Sequence, residues 1–285
     1  MADSIKLSLP LVKPAVKLVA KPQITVKPQN LKRLALLLFA ITLLPLAACG
    51  IIEREIDEKS TAEELYRSAK RDLRNGNFLT AVETFETLGA RFPFGNFTQQ
   101  AQLDLAYAYH RQDEHDNAIS TADRFIKLYP RSRSIDYAYY IKGLANFSRG
   151  GSALERLFPR DLSKLDQSWL RASYAEFDTL VKRYPDSRYT NDAIERMRFL
   201  VNEMARHEFT TAQYYFKRGA MVAAVNRVKY LLDHFEQSDH SNNGLALMAS
   251  AYGTMGQKDL QQDTLRVLAL NQPNHPALAD LEKSQ

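Results

Sequence analysis

Small and bulky apolar positions recur along this chain on two nested spacings. "YRSAKRDLRNGNFLTAVETFETLGARFP" (66–93) and "FTTAQYYFKRGAMVAAVNRVKYLLDHFE" (209–236) share aromatic-x-x-Ala-x-x-x-apolar-x-x-Gly, followed at fixed offsets by Ala, a hydrophobic residue and Leu. Within each string the apolar residues return every three or four positions, the period of a helix that buries one face. "AYGTMGQKDLQQDTLRVLALNQP" (251–273) repeats the second half with Gly256, Leu265, Leu268 and Pro273. "AYAYHRQDEHDNAISTADRFIKLYP" (106–130) supplies Ala106, Ala118, Phe125 and Pro130. "YIKGLANFSRG" (140–150) adds another first helix and "SYAEFDTLVKRYP" (173–185) another second one. The pattern predicts five helix–turn–helix units, spaced by 37 residues between Gly76, Asp113 and Gly150 and again between Gly219 and Gly256.

Each anchor has a mechanical reason. Ala69 and Ala81 are small where the two helices of a hairpin cross, and Phe85 and Leu88 fill the adjoining gap. Gly76 supplies a positive φ at a helix end, and Pro93 stops the second helix. "STAE", Ser60–Glu63, has the spacing of a capping box and opens the array. The offsets closely resemble those of tetratricopeptide repeats. The expected fold is therefore all-α, a right-handed superhelix of about five TPR units, none able to bury its apolar face without a neighbour. Departures from the pattern are an insertion at 151–172 in unit three, Ala122 where unit one has Phe85, Glu236 where other units have proline, and a first helix in unit four of nearly double length, about Thr190–Phe216.

Ahead of the array the pattern changes. "LKRLALLLFAITLLPLAAC" carries Lys32 and Arg33, an apolar run over Leu34–Leu44, a breaker at Pro45 and small residues at Ala47 and Ala48. That order is the mark of a secretory signal peptide, and the run is too short to span a bilayer. Leu46-Ala47-Ala48-Cys49 resembles a bacterial lipobox. That resemblance implies S-diacylglycerol and an N-acyl chain on Cys49 after cleavage, with no other cofactor expected. Two or more acyl chains hold a protein durably where one does not. The alternative is an ordinary signal peptide with an incidental cysteine. Cys49 is the one cysteine in the chain, so no intrachain disulfide can form. Gly50 follows it, and by the same resemblance the lack of Asp there favours the outer membrane. The organisation expected is thus 1–30 an extension (disordered, or an upstream misassigned start), 31–48 signal peptide, 49–59 lipidated tether, 60–150 N-terminal TPR units, 151–172 insertion and 173–285 C-terminal TPR units.

The leader also distorts the charge. Residues 1–48 hold seven Lys/Arg and one acid; removing these from the totals of 38 and 33 leaves 31 bases and 32 acids. The mature chain has no nucleic-acid footprint. No G-x-S-x-G, Walker loop, H-E-x-x-H or CxxC occurs. "HRQDEHDN" gathers His110, Asp113, Glu114, His115 and Asp116, and register makes it the solvated turn between the helices of unit two rather than a metal site. His234 and His240 read as surface residues, and Trp169 as packing the insertion onto the array. No catalytic or metal residue is expected.

In repeats of this kind the first helices line the concave face. Register places Tyr66, Lys70, Leu73 and Arg74 there from unit one, Leu103, Tyr107, His110 and Arg111 from unit two, and Tyr137, Tyr140, Leu144 and Phe147 from unit three. Part of the set must be core between repeats. The remainder makes a groove with aromatic walls and a few cations, suited to an extended peptide with apolar side chains and a carboxylate.

Longer strings are more specific. "RFPFGNFTQQAQLDLAYAYHR", "ADRFIKLYP", "IDYAYYIKGLANF", "VKRYPDSRYTNDAIERMRFLVNEMARHE" and "AQYYFKRGAMVAAVNRV" closely resemble the BamD (ComL/YfiO-like) lipoproteins, over Ser60–Pro273. The resemblance implies a non-enzymatic subunit of the machine (BAM) that folds and inserts β-barrel proteins into the outer membrane, anchored on its periplasmic side. It implies docking on periplasmic domains of a BamA-like central subunit through the C-terminal repeats, contact with other BAM lipoproteins, and recognition of unfolded barrel substrates by the N-terminal repeats. Substrate signals of that system end in an aromatic residue. Arg218 and Arg227 are the docking candidates, because Arg is favoured where interfaces need oriented hydrogen bonds; the other reading is that they brace the hairpin. Rival readings are a TPR lipoprotein of cell-wall or DNA-uptake machinery and, more remotely, a metal-dependent enzyme using "HRQDEHDN".

Overall fold

Five antiparallel helix pairs follow one another in a computed structural model that describes residues 59–149 and 167–282. The pairs are α1 (Ala62–Asn75) with α2 (Phe78–Arg91), α3 (Thr98–Arg111) with α4 (His115–Leu128), α5 (Ile135–Ser148) with α6 (Ser168–Arg183), α7 (Thr190–Lys217) with α8 (Met221–Phe235), and α9 (Ser241–Thr254) with α10 (Lys258–Asn271). A short α11 (Pro276–Glu282) packs on the last pair. Each helix packs on the next in sequence, and first helices also touch across repeats, α1 on α3, α3 on α5 and α7 on α9. This is the stacked tetratricopeptide architecture expected. No described helix is long and apolar enough to cross a membrane. The leader, Cys49, the tether up to residue 58 and the insertion up to residue 166 lie outside the described residues.

The small anchors sit where the helices cross. Ala69, Ala106, Ala212 and Ala249 are wholly buried, as are Ala81 and Ala118. The unit-three counterparts are Gly143 and Ser173, where the fit is closest: a Cβ on Gly143 would lie 2.4 Å from the Phe177 ring. The Ser173 hydroxyl donates to the Gly143 carbonyl at 2.9 Å. Ala122 is balanced one turn on, since Phe125 replaces Leu88 and is wholly buried beside it. Positive φ recurs at the ends of first helices, at Gly76 (82°), Gly219 (77°) and Gly256 (73°), and unit two places Asp113 there at 61°.

Two boundaries differ from expectation. The capping box is Thr61 with Glu64, one residue later than Ser60–Glu63: the Thr61 hydroxyl accepts from the Glu64 amide, and the Glu64 carboxylate accepts from the Thr61 amide at 2.8 Å. The Ser60 carbonyl instead accepts from Arg91 at 2.9 Å. Helix α6 begins at Ser168 and not at Ser173, so 168–172 is helical, with Leu170 wholly buried and Trp169 half-buried on the core of units three and four. α7 runs to 28 residues, Thr190–Lys217, close to the length expected.

Three of the four turns between repeats share a latch. A Ser or Thr that opens a first helix donates to the carbonyl six residues back: Thr98 to Phe92 (2.6 Å), Thr190 to Tyr184 (3.0 Å) and Ser241 to Phe235 (3.0 Å). The residue before it stacks an aromatic ring on the preceding unit's first helix: Phe97 on Tyr66 (5.2 Å), Tyr189 on Tyr140 (4.6 Å) and His240 on Phe209 (5.8 Å). Hydroxyl and ring together fix how far one repeat is offset from the next.

Candidate functional site

Where three successive first helices meet, their side chains surround a concavity of about 500 Å³. α1 contributes Lys70, Leu73 and Arg74, α3 contributes Asp104, Tyr107 and Arg111, and α5 contributes Tyr137. The turn after α1 and the start of α2 close one end with Asn75, Gly76 and Phe78. The positive φ of Gly76 lets the chain reverse there with no side chain projecting into the space.

Of the seven residues expected to line a groove, five gather here: Lys70, Arg74, Tyr107, Arg111 and Tyr137. Tyr66 and Tyr140 do not. Tyr66 lies between Phe85 and Phe97, and its hydroxyl donates to Asp104 at 3.0 Å. Burial first, and then the Asp104 charge, push the Tyr66 phenol well above its ordinary value. Tyr140 stacks on Tyr189 and donates to Asp192 at 2.7 Å, with burial and that carboxylate pushing it up to about 12. Both phenols stay protonated donors and tie one repeat to the next. Leu103 is likewise core, 1% exposed.

Asp104 organises the charges. It is buried and takes both the Tyr66 hydroxyl and the Lys70 ammonium at 2.7 Å, so its charge is neutralised within the wall. Arg111 donates to the Tyr107 hydroxyl at 2.9 Å and lies 4.4 Å over the Phe78 ring. Arg74 is exposed at the lip. Among the described residues neither guanidinium has a carboxylate partner. Two net positive charges therefore face a space walled by Tyr107, Phe78 and Tyr137. Asp104 and Phe78 were not among the expected residues; the signal for Asp104 was one acid inside the otherwise apolar "LDLAYAY".

The "HRQDEHDN" turn is less solvated than expected. Asp113, Glu114 and Asp116 are exposed, but His110 and His115 are half-buried, and their buried Nδ1 atoms have no hydrogen-bond partner among the described residues. Burial lowers both histidines, His110 to about 4. Among the described residues no three or more His, Cys, Asp or Glu side chains are placed to share a metal ion.

The family model described as outer membrane lipoprotein, YfiO, matches residues 58–268, nearly the whole helical array. The chain belongs to the YfiO family. Outer membrane protein assembly factor BamD of Neisseria meningitidis (serogroup A, strain Z2491) is 38% identical over 240 residues, covering 82% of this chain and 90% of the relative. BamD of Xylella fastidiosa (strain Temecula1) is 37% identical over 226 residues, covering 79% and 77%. Among solved structures, TTC0263, a thermophilic TPR protein in Thermus thermophilus, aligns over 79% of this chain and 98% of its own. It does so at 15% identity and a TM-score of 0.34, too low to bear on the architecture.

The other two singled-out arginines of this family member lie at the turn between α7 and α8 and midway along α8. Arg218 ends α7, exposed, with its guanidinium 5.2 Å over the Tyr214 ring. Tyr214 and Val222, on either side of the turn, are exposed as well. Arg227 pairs with the buried Glu208 at 3.1 Å and so braces α8 on α7. His234 is exposed and stacked on Tyr230, whereas His240 is partly buried against Phe209.

Proposed function

We propose that this chain is a non-enzymatic scaffold lipoprotein of outer membrane β-barrel assembly, and that its groove holds the terminal segment of an unfolded barrel protein. Family membership and the assembly-factor name of its relatives support the role. The observation that carries the binding mode is the pair of guanidiniums, Arg74 and Arg111, without carboxylate partners beside the Tyr107, Phe78 and Tyr137 rings. A chain ending in an aromatic residue offers what that space lacks: a ring for the wall and a carboxylate for the cations. In the same reading Cys49 carries S-diacylglycerol and an N-acyl chain and holds the protein on the periplasmic side of the outer membrane. The C-terminal units meet a BamA-like central subunit, with Arg218 presented at the α7–α8 turn and Arg227 supporting it, and other BAM lipoproteins join the assembly.

The test is binding of a fluorescent ten-residue peptide ending in Phe, with either a free or an amidated terminus, to the purified mature lipoprotein. The free acid binds more tightly, and Arg74→Glu with Arg111→Glu weakens it roughly tenfold or more while barely changing the amide. Equal affinity for both peptides, untouched by charge reversal, would overturn the binding mode.

A further inference from the structure

In a stack of antiparallel hairpins, all turns between repeats fall on one edge and all turns within repeats on the other. The two edges differ in charge. In units one and two the turns between repeats, 91–97 and 127–134, hold four Lys/Arg and no acid, whereas the turns within repeats, 74–78 and 111–116, hold two bases and three acids. The next turn on the first edge, 182–189, adds three bases against Asp186, and the one after, 235–240, reverses sign with Glu236 and Asp239. The basic edge thus belongs to units one to three.

Helix dipoles do not account for it. Bases in the last turn of a helix, such as Lys127 and Arg183, are favoured there. Arg131 and Arg133, however, sit just before the N-terminus of α5, where the dipole opposes a cation, and both are exposed with no ion-pair partner among the described residues. Apolar side chains lie among them: Phe94 is 99% exposed and Leu128 53%. The chain also comes in on this edge, because the Ser60 carbonyl meets Arg91 at the end of α2. Nine residues lie between Cys49 and Lys59, a span of at most about 36 Å.

We propose that this edge, centred on Phe94, Leu128, Arg131 and Arg133, lies against an anionic phospholipid surface. Exposed aromatic and aliphatic groups interleaved with unpaired arginines match the chemistry of a bilayer interface, with the rings at headgroup depth and the cations on the phosphates. The inference rests on the lipid anchor at Cys49, which brings the edge to the membrane; the edge then orients the array so that the groove is held at a set angle to the bilayer. Acidic protein partners would match the cations but leave a wholly exposed Phe94 unexplained.

The test uses the lipidated mature protein in vesicles, with the single native tryptophan removed by Trp169→Phe and a reporter introduced as Phe94→Trp or, on the opposite edge, Phe78→Trp. Brominated acyl chains quench the reporter at 94 and not at 78, more strongly with phosphatidylglycerol than with phosphatidylcholine alone. Arg131→Glu with Arg133→Glu cuts that quenching at least severalfold while the protein still floats with the vesicles. Equal quenching at both positions, or none at 94 in anionic vesicles, overturns the proposal. So does quenching that survives charge reversal while a co-purifying acidic protein is lost. Failure of the anchor itself looks different: protein that does not float, with an unmodified Cys49 by mass spectrometry.

Discussion

The outer seam between units one and two and the one between units two and three occupy equivalent places and are built in opposite ways. Between α2 and α4 an open groove of about 370 Å³ remains, with Leu105 and Tyr109 on one side and Gly89, Ala90 and Pro93 on another. Its acid, Glu86, accepts a hydrogen bond from Tyr109. Thirty-seven residues on, Leu105 becomes Lys142 and Glu86 becomes Asp123. Lys142 is buried and reaches Asp123 of α4 and Glu176 of α6, each at 2.7 Å, so one ammonium joins three helices. Repeats built on one hairpin pattern can still be joined loosely or tightly, because the seam is built from residues the repeat does not specify. The tight seam includes the unit with the insertion, and the loose one joins the two units that supply most of the concavity.

The largest effect expected from this contrast is at glycine. Gly143→Ala forces a Cβ into the Phe177 ring, which is wholly buried and cannot retreat. A loss of about 1–3 kcal/mol follows, measurable by denaturant unfolding. Gly89→Ala, in α2 on the open groove, meets nothing within 4 Å among the described residues and gains roughly 0.5–1 kcal/mol of helix propensity. Two chemically identical changes with opposite signs would establish the difference in packing; the same sign at both sites would remove it.

The hairpins were legible and the seams were not, for a physical reason. Ala69, Gly76, Ala81, Phe85 and Pro93 act within some thirty residues, so each leaves its mark at a fixed offset. The polar ties between units have no such periodicity: Tyr66 and Lys70 reach Asp104, whereas Tyr140 reaches Asp192, and the residues joined lie 34 to 52 apart. Tyr66 and Tyr140 fit a groove by register because a first-helix aromatic serves equally as wall or as seam; only the Phe97 and Tyr189 rings decide it. The capping box moved by one residue because Ser60-x-x-Glu63 and Thr61-x-x-Glu64 satisfy the same spacing. The five residues of the concavity were found because they lie on faces left free once the anchors are assigned.

A smaller effect belongs to the ammonium itself. Lys142→Met keeps the length of the side chain but strands two carboxylates. Asp123 is 55% exposed on its side chain and Glu176 22%, so water recovers part of their solvation and the cost is about 1–2 kcal/mol. Although burial works against the charged form, the two carboxylates raise Lys142 above its ordinary value. A raised folded-state value means that the stabilisation is present below about pH 10 and is lost only as the lysine deprotonates. The gap between wild type and Lys142→Met is therefore flat from pH 6 to 9 and closes in strong alkali. A gap that varied across neutral pH would place the energy elsewhere.

The same register comparison gives the smallest prediction at His110, which stands where unit one has Leu73. Burial lowers His110 to about 4, with His115 and Arg111 adding repulsion and Arg196, across on α7, contributing in the same sense, while Asp113 opposes them. A depressed folded-state value means that the folded protein resists a proton the unfolded chain accepts. The stabilisation is complete above pH 6.5 and is lost as the pH falls from there toward 4. Wild-type melting temperature therefore drops over that range by a few degrees more than carboxylate titration alone accounts for. His110→Leu, which gives unit two the side chain of unit one, removes that part of the slope. His115, also lowered by burial, keeps the remainder. If His110→Leu melts with the wild-type pH slope, the buried Nδ1 is hydrated in solution, and the seam of unit two is as open at this point as the outer groove beside Leu105.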